Sequence, residues 1–274
     1  MNIKLCVFDL DGTLLNSNKE ITIETIQAIN KLKNKNIQYT IATGRMDTLA
    51  RKYQKQINSN LPIISCNGSL IRDLSGNTLY KKYLNFDTVK TLVEFYNLNN
   101  LDFMLYTENT ILSTPNNPRL ILLENLNSSS QPEDRFDIEI LNRDIEYYSN
   151  LIFLKSLAYI ENREKLLDIE YIMRKEFKDL SIVSSDKTLL DIMPSGVNKG
   201  TGLQNLCKIL NINRDEIVVF GDNFNDLEMI NFSKTSVVPS NGEESIKNIA
   251  TFVTKSNDDN GIAFAINEFI LKNV

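Results

Sequence analysis

The sequence predicts an α/β protein, a doubly wound parallel sheet with a separate α+β segment inserted into it, and three observations predict this. Residues 5–8 and 217–220 are unbroken apolar runs, as expected of strands buried on both faces beneath helices. Each is followed by acids and a turn and then by a helical-period segment, the alternation of a parallel sheet with crossover helices. Between about 84 and 188 the pattern changes to helices interleaved with antiparallel strand pairs.

The first strand runs from Ile3 into Asp9-Leu10-Asp11-Gly12-Thr13. Its carboxyl end opens on the crevice where parallel sheets bind ligands, and Gly12 allows a sharp turn beside a small anion. Two acids there suit a hard divalent cation, although an ordinary Asx turn also contains Asp and Gly. Ile23, Ile26, Ile29 and Leu32 then predict a helix over 22–35 with Thr22 as N-cap. The strand at 37–42 ends in Thr43-Gly44-Arg45 before a second helix through Leu49 and Tyr53. Free N–H groups at that helix start attract anions, and a threonine N-cap with a loop glycine is the plainer alternative.

A third strand at 61–66 closes on Asn67-Gly68, followed by a hairpin around Ser75-Gly76-Asn77. Cys66 and Arg72 have the six-residue spacing of cysteine-dependent phosphatases. That chemistry needs a loop running into a helix N-terminus, whereas a hairpin follows here. The inserted segment then reads as a helix around 89–96, strands at 101–107 and 110–114, a helix at 119–126 and a polar loop at 127–134. Strands at 137–141 and 150–159, a helix at 166–177 and a hairpin of 180–185 with 189–193 complete it.

Gly196-Val197-Asn198-Lys199-Gly200 opens a helix through Leu203 and Leu210. A lysine at a helix N-terminus opposes the dipole, so Lys199 either holds an anion or is a solvated loop residue. Residues 217–220 lead into Gly221-Asp222-Asn223-Phe224-Asn225-Asp226, whose side-chain oxygens exceed what an N-cap needs and suit metal ligation. Short strands at 235–238 and 251–254 alternate with helices at about 242–249 and 261–272.

Composition narrows the chemistry. The 274 residues carry Lys+Arg 30 against Asp+Glu 35, a net charge of −5 that gives no general attraction to nucleic acid. Histidine is absent, which removes imidazole bases, histidine zinc sites and phosphohistidine. Cys6, Cys66 and Cys207 are widely spaced and read as reduced core thiols of a cytoplasmic protein. No signal peptide and no membrane-spanning apolar run is expected.

Together, Asp9-Leu10-Asp11-Gly12-Thr13, Thr43-Gly44-Arg45, Asn198-Lys199-Gly200 and the segment Gly221 to Asp226 resemble, in order and spacing, the motifs of the haloacid dehalogenase-like phosphatases. The likeness is to the Cof-type branch with a large α+β (type IIB) cap, and it covers essentially the whole chain. It implies a Rossmann-like core at 1–83 and 189–274 and a cap at 84–188 that closes over the crevice. It also implies Asp9 as nucleophile forming an aspartyl-phosphate and Asp11 as acid and base. Mg2+ would be held by Asp9, the Asp11 carbonyl and Asp222, with Asp226 as ligand or orienter. Leu10 (through its amide), Thr43, Gly44, Lys199 and Asn225 would hold the phosphoryl oxygens. The implied partner is a small phosphorylated metabolite, with no nucleic acid and no membrane, acted on by a monomer or weak homodimer. A phosphotransferase or mutase using the same intermediate, and a silent phosphometabolite-binding module, are the alternatives.

Overall fold

A computed structural model describes residues 2–273 and divides them into two compact units, residues 2–80 with 198–273, and residues 81–197. In chain order the first unit begins with β1 (Leu5–Phe8), α1 (Ile23–Asn34), β2 (Gln38–Ile41), α2 (Asp47–Gln56), β3 (Ile63–Ser65), β4 (Leu70–Arg72) and β5 (Thr78–Lys81). The second unit follows with α3 (Phe86–Leu98), β6 (Asp102–Tyr106), β7 (Thr110–Ser113), α4 (Arg119–Ser128), β8 (Asp137–Ile140), β9 (Lys155–Tyr159), α5 (Arg163–Glu176), β10 (Leu180–Asp186) and β11 (Leu189–Pro194). The first unit resumes with α6 (Lys199–Leu210), β12 (Ile217–Phe220), α7 (Leu227–Phe232), β13 (Thr235–Pro239), α8 (Glu244–Lys247), β14 (Phe252–Thr254) and α9 (Gly261–Ala265).

The first unit is built on a five-stranded parallel sheet in the order β14-β13-β12-β1-β2. β1 explains why: its four residues are all buried, with Cys6 and Phe8 in a core shared with α1 and α9, and Leu5 and Val7 in a second core with α6 and α7. Alternate side chains thus face opposite layers, which is what an unbroken apolar run requires. Thr22 caps α1 by accepting from the Thr25 N–H, and Ala28, Ile29 and Leu32 form its buried stripe. β3 joins through an isolated parallel bridge, Ala42 to Ile64, and then turns back as β4 in a small antiparallel sheet β3-β4-β5.

The second unit has a six-stranded sheet in the order β10-β11-β9-β6-β7-β8, antiparallel except for the β7–β8 pair. Its main core gathers Val89, Leu92 and Tyr96 of α3 with Leu166, Ile169 and Met173 of α5. The sequence expectation closed this segment at 188. β11 pairs with both β9 and β10, so the unit instead runs to Val197, because a hairpin partner cannot leave its own sheet. The expected strand at 150–159 shortens to β9, with a 3-10 turn at Ile145–Tyr148 before it. Among the described residues no helix is long and apolar enough to cross a membrane.

Candidate active site

The parallel register builds the site. Phe8 of β1 is level with Ile41 of β2 and Phe220 of β12, so the residues after each strand leave the sheet on one row. The Asp9 N–H donates to Phe220 O and the Ala42 N–H to Phe8 O, both at 2.9 Å. Gly12 then turns the first loop with a φ of 82°, and a Cβ there would lie 2.4 Å from Asp222 Oδ2. Only glycine allows that approach. Thr13 Oγ1 donates to Asp222 Oδ1 at 2.7 Å and ties the first loop to the one after β12.

α6 supplies the cation. Asn198 caps it, accepting from the Thr201 N–H at 2.8 Å while Thr201 Oγ1 accepts from the Asn198 N–H at 3.0 Å. Lys199 at the first helical position is fully buried, and its Nζ donates to Asp9 Oδ1 at 2.6 Å and to Asp226 Oδ1 at 2.7 Å. Asp226, also fully buried, accepts through Oδ2 from the N–H groups of Asp222 (2.9 Å) and Asn223 (3.2 Å). It is therefore the orienter of its own loop as well as a partner of the lysine.

Burial pushes the Asp9 carboxyl well above its ordinary range, opposed by Lys199 and reinforced by Asp226 and Asp222. Asp222 is pushed up to about 7, first by burial and then by Asp226, against the Thr13 hydrogen bond and Lys199. Burial alone would lower Lys199, but Asp226 and Asp9 outweigh it and hold the amine charged. One ligand oxygen from each of Asp9, Asp222 and Asp226 lies within 4.8 Å of the others. Three carboxylates against one ammonium, two of them with raised proton affinity, fit a hard divalent cation.

Asp11 stands apart from that cluster. Arg45 grips its carboxylate with a fork, Nε to Oδ2 at 2.7 Å and Nη2 to Oδ1 at 2.6 Å, and Lys19 Nζ adds a bond to Oδ1 at 2.8 Å. Burial would raise its proton affinity, but the two cations hold it far below the usual carboxylate range. Its side chain is thus ionised, held by Arg45 and Lys19 outside the three-acid group.

Three of the expected phosphate donors, Thr43, Gly44 and Asn225, contact one residue, Asn67. Thr43, buried at the end of β2, accepts at its carbonyl from the Asn67 N–H (3.0 Å) and at Oγ1 from the Arg45 N–H (3.2 Å). Asn225 Nδ2 donates to Asn67 Oδ1 at 3.1 Å, and Gly44 packs against the same Asn67 amide. Leu10 is fully buried, and its carbonyl accepts from the Leu15 N–H at 2.8 Å. Thr13, Lys19, Arg45 and Asn67 carry bonds that sequence reasoning assigned to no role. Thr13 and Arg45 sit inside quoted motifs, so position alone flagged them; the Asn67-Gly68 pair after a strand was the signal for Asn67.

The Cys66–Arg72 pair is no phosphatase loop. After Cys66 the chain makes one 3-10 turn, Cys66–Gly68, and returns as β4, and Arg72 Nη1 lies against the Asp47 carboxylate at 3.4 Å. All three cysteines are buried and outside any disulfide, with burial pushing the Cys207 thiol up to about 12 and the Cys6 thiol up as well.

The family model of haloacid dehalogenase-like hydrolases matches residues 6–266. The chain is 30% identical to the putative phosphatase MG265 of Mycoplasma genitalium, over 98% of this chain and 99% of that one. It is 28% identical to the 5-amino-6-(5-phospho-D-ribitylamino)uracil phosphatase YwtE of Bacillus subtilis, over 98% of each. Among solved structures, a haloacid dehalogenase-like hydrolase from Bacteroides thetaiotaomicron superposes with a TM-score of 0.81 at 27% identity, covering 97% of this chain and 98% of that one.

Proposed function

The chain belongs to the haloacid dehalogenase-like hydrolases, in their Cof-type branch, and is a phosphatase; from that premise we propose that it hydrolyses phosphate monoesters of small metabolites through an aspartyl-phosphate on Asp9. The observation that carries this is the meeting of Asp9, Lys199, Asp222 and Asp226 at the carboxyl ends of β1 and β12 from segments up to 217 positions apart, Asp9 to Asp226. Mg2+ fits the three acids and would be held by Asp9, Asp222 and the Asp11 carbonyl, with Asp226 beside them. When bound it neutralises charge on the phosphoryl oxygens and the attacking carboxylate.

The rest falls to the chain's own side chains. Asp9 forms a bond from a carboxylate oxygen to phosphorus as the ester P–O bond breaks, and the leaving alkoxide takes a proton from Asp11. Water then attacks the acyl phosphate, its proton returns to Asp11, and phosphate and free Asp9 are released. The ionised Asp11 between Arg45 and Lys19 is the form that accepts the water proton; its protonated form requires the Arg45 fork to let go. Lys199, with Thr43, Gly44, Asn225 and the Leu10 amide, stabilises the transferring oxygens.

The Bacillus subtilis relative named as a 5-amino-6-(5-phospho-D-ribitylamino)uracil phosphatase supports screening phosphorylated ribitylamino-pyrimidines beside sugar phosphates, nucleotides and phosphorylated cofactors. Turnover of p-nitrophenyl phosphate and a phosphometabolite panel with Mg2+, and with chelator, tests the reading. It is expected to vanish with chelator and in Asp9→Asn; turnover that survives Asp9→Asn contradicts it.

A further inference from the structure

The catalytic scheme assigns no task to the turn after β3, Cys66–Gly68. Cys66, Asn67 and Gly68 take successive φ values of 49°, 54° and 97°, three left-handed residues in a row. Such a backbone is unfavourable for side-chain-bearing residues and persists where the surroundings fix it. Here they do so from three directions. The Cys66 N–H donates to Arg45 O at 2.9 Å and the Asn67 N–H to Thr43 O at 3.0 Å. Gly68 lies so close to α6 that a Cβ on it would stand 2.2 Å from Asn198 O, and a Cβ on Gly202 would stand 2.9 Å from Gly68 Cα. The Asn67 side chain, only 1% exposed, accepts from Asn225 Nδ2 at 3.1 Å. One turn therefore touches the loop after β2, the start of α6 and the loop after β12.

These contacts orient donors. In a trans peptide the C=O and the following N–H point in opposite directions, so fixing Thr43 O on Asn67 also fixes the direction of the Gly44 N–H. An amide nitrogen has two hydrogens, and the bond from Asn225 to Asn67 uses one and sets the plane of the other. We propose that Asn67 is a positioning residue of the phosphate site, holding the Thr43-Gly44 peptide through its N–H and Asn225 through its side-chain oxygen, so that donors on two separate loops are arranged before the phosphoryl group arrives. Donors fixed in advance need no reorganisation at the moment of reaction, which is where such groups gain their strength. The inference rests on the phosphatase reading above and deepens it.

Asn67→Gly removes the side chain while glycine keeps the left-handed backbone at no steric cost. Inorganic phosphate binding to the Mg2+-loaded protein, measured by calorimetry, is expected to weaken about tenfold, the scale of a hydrogen bond to a charged group. KM for p-nitrophenyl phosphate should rise alongside. The decisive readout is coupling: Asn225→Ala should weaken phosphate binding in the wild-type background by a factor that shrinks to less than about twofold in Asn67→Gly. In Asn67→Asp, which keeps the accepting oxygen, the full Asn225→Ala factor should return. An unchanged phosphate affinity in Asn67→Gly, or an Asn225→Ala factor equal in both backgrounds, overturns the proposal. Wild-type protein that binds phosphate with this coupling but hydrolyses no ester would sink the phosphatase reading and leave the positioning role standing.

Discussion

Two buried lysines, one in each unit, are surrounded by acids in different proportions. Lys199 at the start of α6 bonds to both Asp9 and Asp226, and Asp222 completes a cluster of three acids around one amine. Lys155 on β9 is paired with Asp191 on the adjacent β11, with its ammonium 4.6 Å from the centre of the Tyr106 ring. Both lysines are at most 2% exposed. The second arrangement is balanced charge against charge and lies under an aromatic face, so the protein supplies everything it needs. In the first arrangement burial, and after it the neighbouring acids that outnumber the amine, raises the proton affinity of Asp9 and Asp222, which leaves room for another cation. Burial of charge does not by itself mark a site. An imbalance that the surrounding protein leaves uncompensated does.

The largest expected effect separates the two clusters by function. Asp9→Asn should lower kcat for a phosphate ester by at least ~10³-fold, as loss of a nucleophile does, while Asp191→Asn should leave kcat per folded molecule within about twofold. The reverse ranking in steady-state assays would break the comparison. The next largest separates them by stability. Lys155→Met leaves Asp191 buried and alone and should cost ~3–5 kcal/mol in urea unfolding, with Lys155→Met/Asp191→Leu recovering most of that loss.

How much of this was legible in the sequence follows the same division. The acids and Lys199 stand at strand and helix ends flanked by apolar runs, so their convergence followed from the parallel topology once β1, β2 and β12 were recognised. The fork from Arg45 to Asp11 and the bond from Thr13 to Asp222 depend on side-chain directions that periodicity does not encode. Asn67 was hidden for a further reason: its role depends on a left-handed turn, and Cys66 and Arg72 around it imitated a different motif. In the second unit, alternation found the strands but not their order, so the pairing of β11 with β9, which carries Asp191 to Lys155, came from long-range register.

A smaller effect is expected in the pH dependence of stability. Asp222 ordinarily titrates at 3.8 but here at about 7, so the folded state holds more protons than the unfolded chain between those values. Metal-free protein should therefore lose stability as pH rises from about 4 to 7, with Asp9 shifted in the same direction. Asp11 is shifted downward, so its contribution is complete above about pH 5 and opposes the loss only at the acid end of that range. Melting curves across that range should fall by a few degrees without Mg2+ and flatten with it; a rise without Mg2+ would remove the imbalance from the account. The smallest effect belongs to Cys66→Ser, for which kcat should stay within about twofold, because Arg72 is engaged with Asp47 and not with a thiolate loop.

The most direct measurement is calorimetric titration of Mg2+ into the wild-type protein, Asp222→Asn and Asp191→Asn at neutral pH. One ion is expected to bind the wild type and Asp191→Asn alike, and Asp222→Asn should lose that binding. Equal binding in all three proteins, or none in the wild type, would contradict the assignment of the three-acid cluster around Lys199 as the cation site.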